Sequence, residues 1–128
     1  MRKSVLCLMS AALLLFGAAT AFAQSAPASA ADTAKGKALV DGKSMTLYIF
    51  DRDTAGMSNC SGQCAVNWPP FLAAAGDKGT GQWSVIARSD GGKQWAYKGK
   101  PLYTFGKDTK PGEANGDGVN SVWHIAAP

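Results

Sequence analysis

Histidine is nearly absent: one residue, His124, in 128. A single imidazole leaves little room for a Ser–His–Asp arrangement, and no Gly-x-Ser-x-Gly elbow accompanies it. Cysteine is also scarce. Of three, Cys7 lies in an apolar leader, which leaves Cys60 and Cys64. Their spacing is Cys-x-x-x-Cys, so the Cys-x-x-Cys redox signature and the Cys-x-x-Cys-His haem signature are both missing. There is no phosphate-binding glycine loop. Lysines and arginines form no run or stripe, which leaves nucleic acid and anionic membrane without support as partners. No window sustains a helical period beyond a turn or two. These absences point to an all-β, non-enzymatic protein.

The N-terminus gives the compartment. Arg2 and Lys3 precede an apolar stretch from about Val5 to Ala19, and Ala21-Phe22-Ala23 is a small-x-small cleavage site. This is the pattern of a secretory signal peptide over residues 1–23, cleaved near Ala23-Gln24. The apolar run is shorter than the roughly 20 residues a membrane span needs. The expected product is soluble, periplasmic or secreted, with no transmembrane segment. Of 128 residues, removal of 23 leaves 105, enough for one domain. Thirteen basic residues less Arg2 and Lys3 leave 11 against nine acidic, a net charge of +2. Residues 24–35, poor in large apolar side chains, read as a flexible tether. The domain is expected over 36–128.

What is present is a repeat. At an offset of 55, Thr46–Trp68 aligns with Pro101–Trp123 without a gap, and six of 23 positions are identical. These are Leu47/Leu102, Tyr48/Tyr103, Phe50/Phe105, Asp53/Asp108, Thr54/Thr109 and Trp68/Trp123. Repeat 1 is placed at about 38–72 and repeat 2 at about 93–127. Lys37–Val40 and Met45–Phe50 flank the turn Asp41-Gly42-Lys43. Gln82–Ala87 and Lys93–Tyr97 flank Ser89-Asp90-Gly91-Gly92, and each pair reads as a hairpin. Further strands are expected at Leu102–Phe105 and Val122–Ala126. Cys60–Asn67 can form one short helix, stopped by Pro69-Pro70. The fold expected is a small sandwich or barrel-like domain built from two similar repeats. Alternation puts Tyr48 and Phe50 on one face and Leu47 and Ile49 on the other; Tyr103 and Phe105 repeat this. The two aromatic faces should pack together, with Trp68 and Trp123 closing equivalent corners. The same aromatics could instead line a carbohydrate or small-ligand cleft. Buried tyrosines need hydroxyl partners, and Asp53 and Asp108 serve as partners or as turn caps.

The two copies differ where chemistry would sit. Two cysteines in an oxidising compartment most often pair, and Cys60 and Cys64 are close enough, with Cα atoms about 6 Å apart on one helical turn. The competing reading is a soft-metal site. Thiolate and thioether favour copper(I), so Met57, Cys60 and Cys64, joined by His124, are the candidate metal set. In the second copy Asp108, Asn115, Asp117 and Asn120 supply the hard oxygens that calcium favours. Their spacing is not that of an EF-hand, and Asx turns use the same residues. Asp51 and Asp53, beside Arg52, read as a solvated turn rather than as a catalytic pair.

Tyr48-x-Phe50-x-x-Asp53 and Tyr103-x-Phe105-x-x-Asp108 resemble the Tyr-x-aromatic-x-x-Asp motif of a bacterial exported family. It is described as a secreted repeat of unknown function, or predicted lipoprotein. Cys60-Ser61-Gly62-Gln63-Cys64-Ala65 through Trp68-Pro69-Pro70 is similar to its Cys-x-Gly-x-Cys-Ala-x-x-Trp-Pro-Pro segment, and Gly116–Asn120 with Trp123-His124 to the end of its second repeat. The resemblance spans residues 38–126 and implies a two-repeat exported domain, with no established reaction. Lipid anchoring does not carry over, since no small residue stands before Cys7. The function expected is an exported binding or envelope-associated module, for an unknown ligand or envelope protein, with a Cys60–Cys64 disulfide and no cofactor. A copper-handling or electron-transfer accessory is the alternative.

Overall fold

The computed structural model describes residues 26–128. The expected signal peptide, its cleavage site and Cys7 lie outside them. The described chain forms seven short strands, β1 (Ser29–Thr33), β2 (Gly36–Val40), β3 (Tyr48–Phe50), β4 (Trp83–Ala87), β5 (Lys93–Tyr97), β6 (Lys100–Pro101) and β7 (Trp123–Ile125). One helix, α1 (Gln63–Asn67), and a 3-10 turn at Val119–Ser121 complete it. The strands make three small antiparallel sheets, β1-β2, β3-β7 and β4-β5-β6. Single bridges join them: Val40 with Thr46, Tyr48 with Tyr103, and Tyr103 with Pro70. Among the described residues, no helix is long and apolar enough to cross a membrane.

The expected all-β class holds, with one short helix beside the cysteines. The second hairpin forms as read, with Trp83 opposite Tyr97 and Ala87 opposite Lys93. Gly91, at φ 91, supplies the left-handed backbone that its turn requires. The first hairpin differs. Asp41 does close the turn, its Oδ1 accepting the N–H of Lys43 and of Met45. The ladder beyond it is short, however: after the Val40–Thr46 bridge only the Leu47 N–H reaches the Leu39 carbonyl, at 2.9 Å, and β3 starts at Tyr48. Ala126 takes the return bond of that pair: Leu39 donates to the Ala126 carbonyl, and the Ala126 N–H donates to the Leu47 carbonyl.

The tether expectation is also corrected. Ser29–Thr33 forms β1 and pairs with all of β2, Ser29 opposite Val40 and Thr33 opposite Gly36. A segment without large apolar residues can still be ordered this way, because the ladder satisfies main-chain groups that β2 would otherwise leave open. Ala28 also packs on the core. β1-β2 in the first copy therefore corresponds to β4-β5 in the second, and each repeat begins with a hairpin.

Two cores result, one from each side of the repeated strands. Tyr48, Cys60, Trp68, Tyr103, Phe105 and Trp123 form the aromatic one, with Phe50 packed against it. Leu39, Leu47, Leu102 and Ala126 form the aliphatic one, with Ile49 beside them. The alternation read from the sequence separates them as expected.

Candidate functional site

The two repeats meet at Tyr48 and Tyr103, which exchange both main-chain hydrogen bonds, 2.8 and 3.0 Å long. Beyond this point the side chains cross. Phe50 of the first copy stacks on Trp123 of the second at 4.2 Å, and Phe105 of the second stacks on Trp68 of the first at 4.0 Å. Trp68 and Trp123 stack on each other at 3.8 Å, 3° from parallel. The result is one column, Phe105–Trp68–Trp123–Phe50. Its ring faces are used up internally: Trp68 is 6% exposed and Trp123 3%. The packed-core reading of these residues therefore holds, and they offer no open aromatic platform.

The tyrosine hydroxyls cross as well. Tyr103 donates to Asp53 Oδ2 at 2.6 Å, and Tyr48 donates to Asp108 Oδ2. Each aspartate uses its other oxygen to cap a loop of its own repeat. Asp53 accepts from the Asn59 N–H at 2.7 Å and Asp108 from the Asn115 N–H at 3.0 Å. Both roles read from the sequence are thus filled at once, with the tyrosine coming from the other copy. Asp53 is accordingly no solvated turn residue. Burial pushes its carboxyl above the ordinary range, against the pull of the Asn59 and Tyr103 bonds. Burial, reinforced by the carboxylate each one faces, raises both phenols.

Cys60 and Cys64 form a disulfide, with Cα atoms 5.3 Å apart at the start of α1. Both cysteine sulfurs of the candidate copper set are thereby paired. Met57 lies on the surface, 58% exposed, and His124 Nε2 meets Asp51 Oδ2 at 2.7 Å. Of the calcium candidates, Asp108 holds Tyr48 and the Asn115 amide, while Asp117 accepts from the Ile125 N–H at 3.0 Å. The Asn115 side chain donates to Glu113. The two aspartates thus hold main-chain N–H groups seven and eight residues on, farther than the two-residue reach of an Asx turn.

Arg88 and Ser58 escaped the sequence reading, and Gly116 entered it only through the family segment. The Arg88 side chain is 2% exposed, and its guanidinium reaches the Cys60 carbonyl at 2.8 Å, Gln94 Oε1 at 2.8 Å and Ser58 Oγ at 3.1 Å. Its Asp90 partner is held below the ordinary carboxylate range by that contact. Ser58 in turn bonds the Tyr103 hydroxyl at 2.6 Å. Gly116 donates its N–H to the Tyr48 oxygen, and a Cβ there would lie 2.7 Å from the Trp68 ring. Only the hairpin position of Arg88, two residues before Asp90, hinted at a partner.

At the Phe105 end of the column a cleft of about 460 Å³ opens. Asn67 and Trp68 come to it from the first copy, and Phe105, Lys107, Val119 and Asn120 from the second. Gly106 brings main chain close, since a Cβ there would stand 3.3 Å from the Asn67 carbonyl. Val66 beside it is 67% exposed. Asn120 has φ 50 and Ser121 φ 59, two successive residues other than glycine in the left-handed region.

Residues 29–71 and 84–127 match a family described as a secreted repeat of unknown function. The two matches cover 43 and 44 residues, together 87 of 128. They start at β1 and at β4, so each copy includes its opening hairpin. Neither the curated proteins nor the solved structures gave a match. With two copies covering most of its length, the chain belongs to this family of secreted repeats of unknown function.

Proposed function

We propose that this chain is an exported, non-enzymatic binding module of the bacterial envelope, and that its ligand sits in the cleft between the copies. The observation that carries this reading is the cleft itself, to which both repeats contribute side chains. Concave sites with an apolar lining and a few convergent polar groups are the usual seat of a small ligand. The lining mixes Val66, Val119 and the edges of Trp68 and Phe105 with two amides and the Lys107 ammonium. This suits a short ligand with apolar and polar parts and an anionic group for the lysine. Muropeptides, with sugar, peptide and carboxylate in one molecule, are the probe.

Titration of isotope-labelled protein with soluble muropeptides should shift the amides of Val66, Asn67, Lys107 and Asn120. Lys107→Glu should weaken binding and leave the fold intact. Shifts spread over the whole surface, or none up to millimolar probe, would sink the reading.

A further inference from the structure

The aromatic core has a property that packing alone does not require. Its two indoles lie face to face at 3.8 Å, so an electron hole on one can be shared with the other. A tyrosine stands edge-on to each, Tyr48 against Trp68 at 5.5 Å and Tyr103 against Trp123 at 5.1 Å. Each phenol donates its proton to a carboxylate, Asp108 or Asp53. A phenol loses an electron readily when its proton has an acceptor already in place. The column also has an entrance, because Trp68 and Phe105 line the cleft.

We propose that this core is a radical sink, which takes one oxidising equivalent at Trp68 and stores it on a buried tyrosine. The co-reactant is a one-electron oxidant of the kind derived from peroxide. It removes one electron from Trp68 and is itself reduced, leaving an indole radical cation shared with Trp123. Tyr103 then gives one electron to that cation and its phenolic proton to Asp53. The products are neutral tryptophan, a neutral tyrosyl radical and a protonated Asp53. Tyr48 and Asp108 do the same from the Trp68 side. A soluble enediol reductant such as ascorbate supplies the electron that resets the site, and the proton returns from the aspartate.

Flash oxidation of the purified protein by a photo-excited ruthenium polypyridyl complex, with persulfate as electron acceptor, tests this. Time-resolved absorption and spin resonance should show a tryptophan radical decaying into a tyrosyl radical. Tyr48→Phe with Tyr103→Phe should abolish the tyrosyl signal and prolong the tryptophan radical. Tyr97→Phe, which removes the remaining tyrosine, should change neither. In the unaltered protein the transfer should be slower in D2O. A tryptophan radical that never passes to tyrosine overturns the proposal. So does a tyrosyl signal that survives the double substitution but is lost with Tyr97. Equal rates in H2O and D2O overturn the proton step, whether or not the double variant folds.

Discussion

Tyr48 and Tyr103 are the residues on which both repeats converge, and both are fully buried. Burial, and next the carboxylate each one faces, hold their phenols protonated above the ordinary value of 10.0. The unfolded chain therefore loses these protons first as pH rises. Their contribution to stability is complete below about pH 10 and is lost as pH climbs toward the folded values. Urea denaturation above that point should show stability falling by about 1.4 kcal/mol per pH unit for each tyrosine. Tyr48→Phe should remove half of that slope. Gly116 makes a second prediction. An alanine there meets the Trp68 and Tyr48 rings, which the column prevents from moving aside. Gly116→Ala should cost about 1–3 kcal/mol by overpacking, read from the urea midpoint. At this scale the sequence showed that Asp53 and Asp108 were available to tyrosines. It did not show that each would take the tyrosine of the other copy. Arg88 and Ser58 carried no periodic signal, because a hydrogen-bond network depends on distance in space.

The disulfide at the start of α1 closes a five-residue loop. So short a loop restricts the unfolded chain little, so reduction should lower stability by about 2 kcal/mol while the fold persists. Thiol titration of a chain starting at residue 24 should find no free thiol under denaturing conditions. Two free thiols binding copper(I) stoichiometrically would instead favour the soft-metal reading of Met57, Cys60, Cys64 and His124. β1 offers the other test among elements. A chain starting at residue 36 loses the strand that covers β2, along with the Ala28 contact. It should unfold at lower urea and, with β2 turned into an open edge, self-associate in light scattering. The second hairpin was legible because its strands alternate and its turn is rich in glycine. β1 was not, since Ser29–Thr33 has small side chains and is ordered by main-chain pairing instead.

Across the whole molecule, neither copy completes its own core. Phe50 needs Trp123, Phe105 needs Trp68, and each tyrosine needs an aspartate from the other side. Fragments 26–78 and 79–128 should each be unstructured alone. Mixed in equal amounts, they should regain the near-ultraviolet circular dichroism of the stacked indoles. Fragments that fold independently would show the copies to be separate units.

The sequence by itself determined the two copies, their aromatic and aliphatic faces and the turn at Ser89–Gly92, and it set Cys60 and Cys64 within pairing distance. All of these follow from local chemistry: side-chain alternation along a strand, turn residues and a short spacing. Only the tertiary structure decided that the copies interlock, that β1 belongs to the first, and that a cleft opens where they meet. The reason is geometric. A repeat says that two segments fold alike, but their relative orientation comes from packing across both at once, and that orientation sets which aspartate each tyrosine reaches.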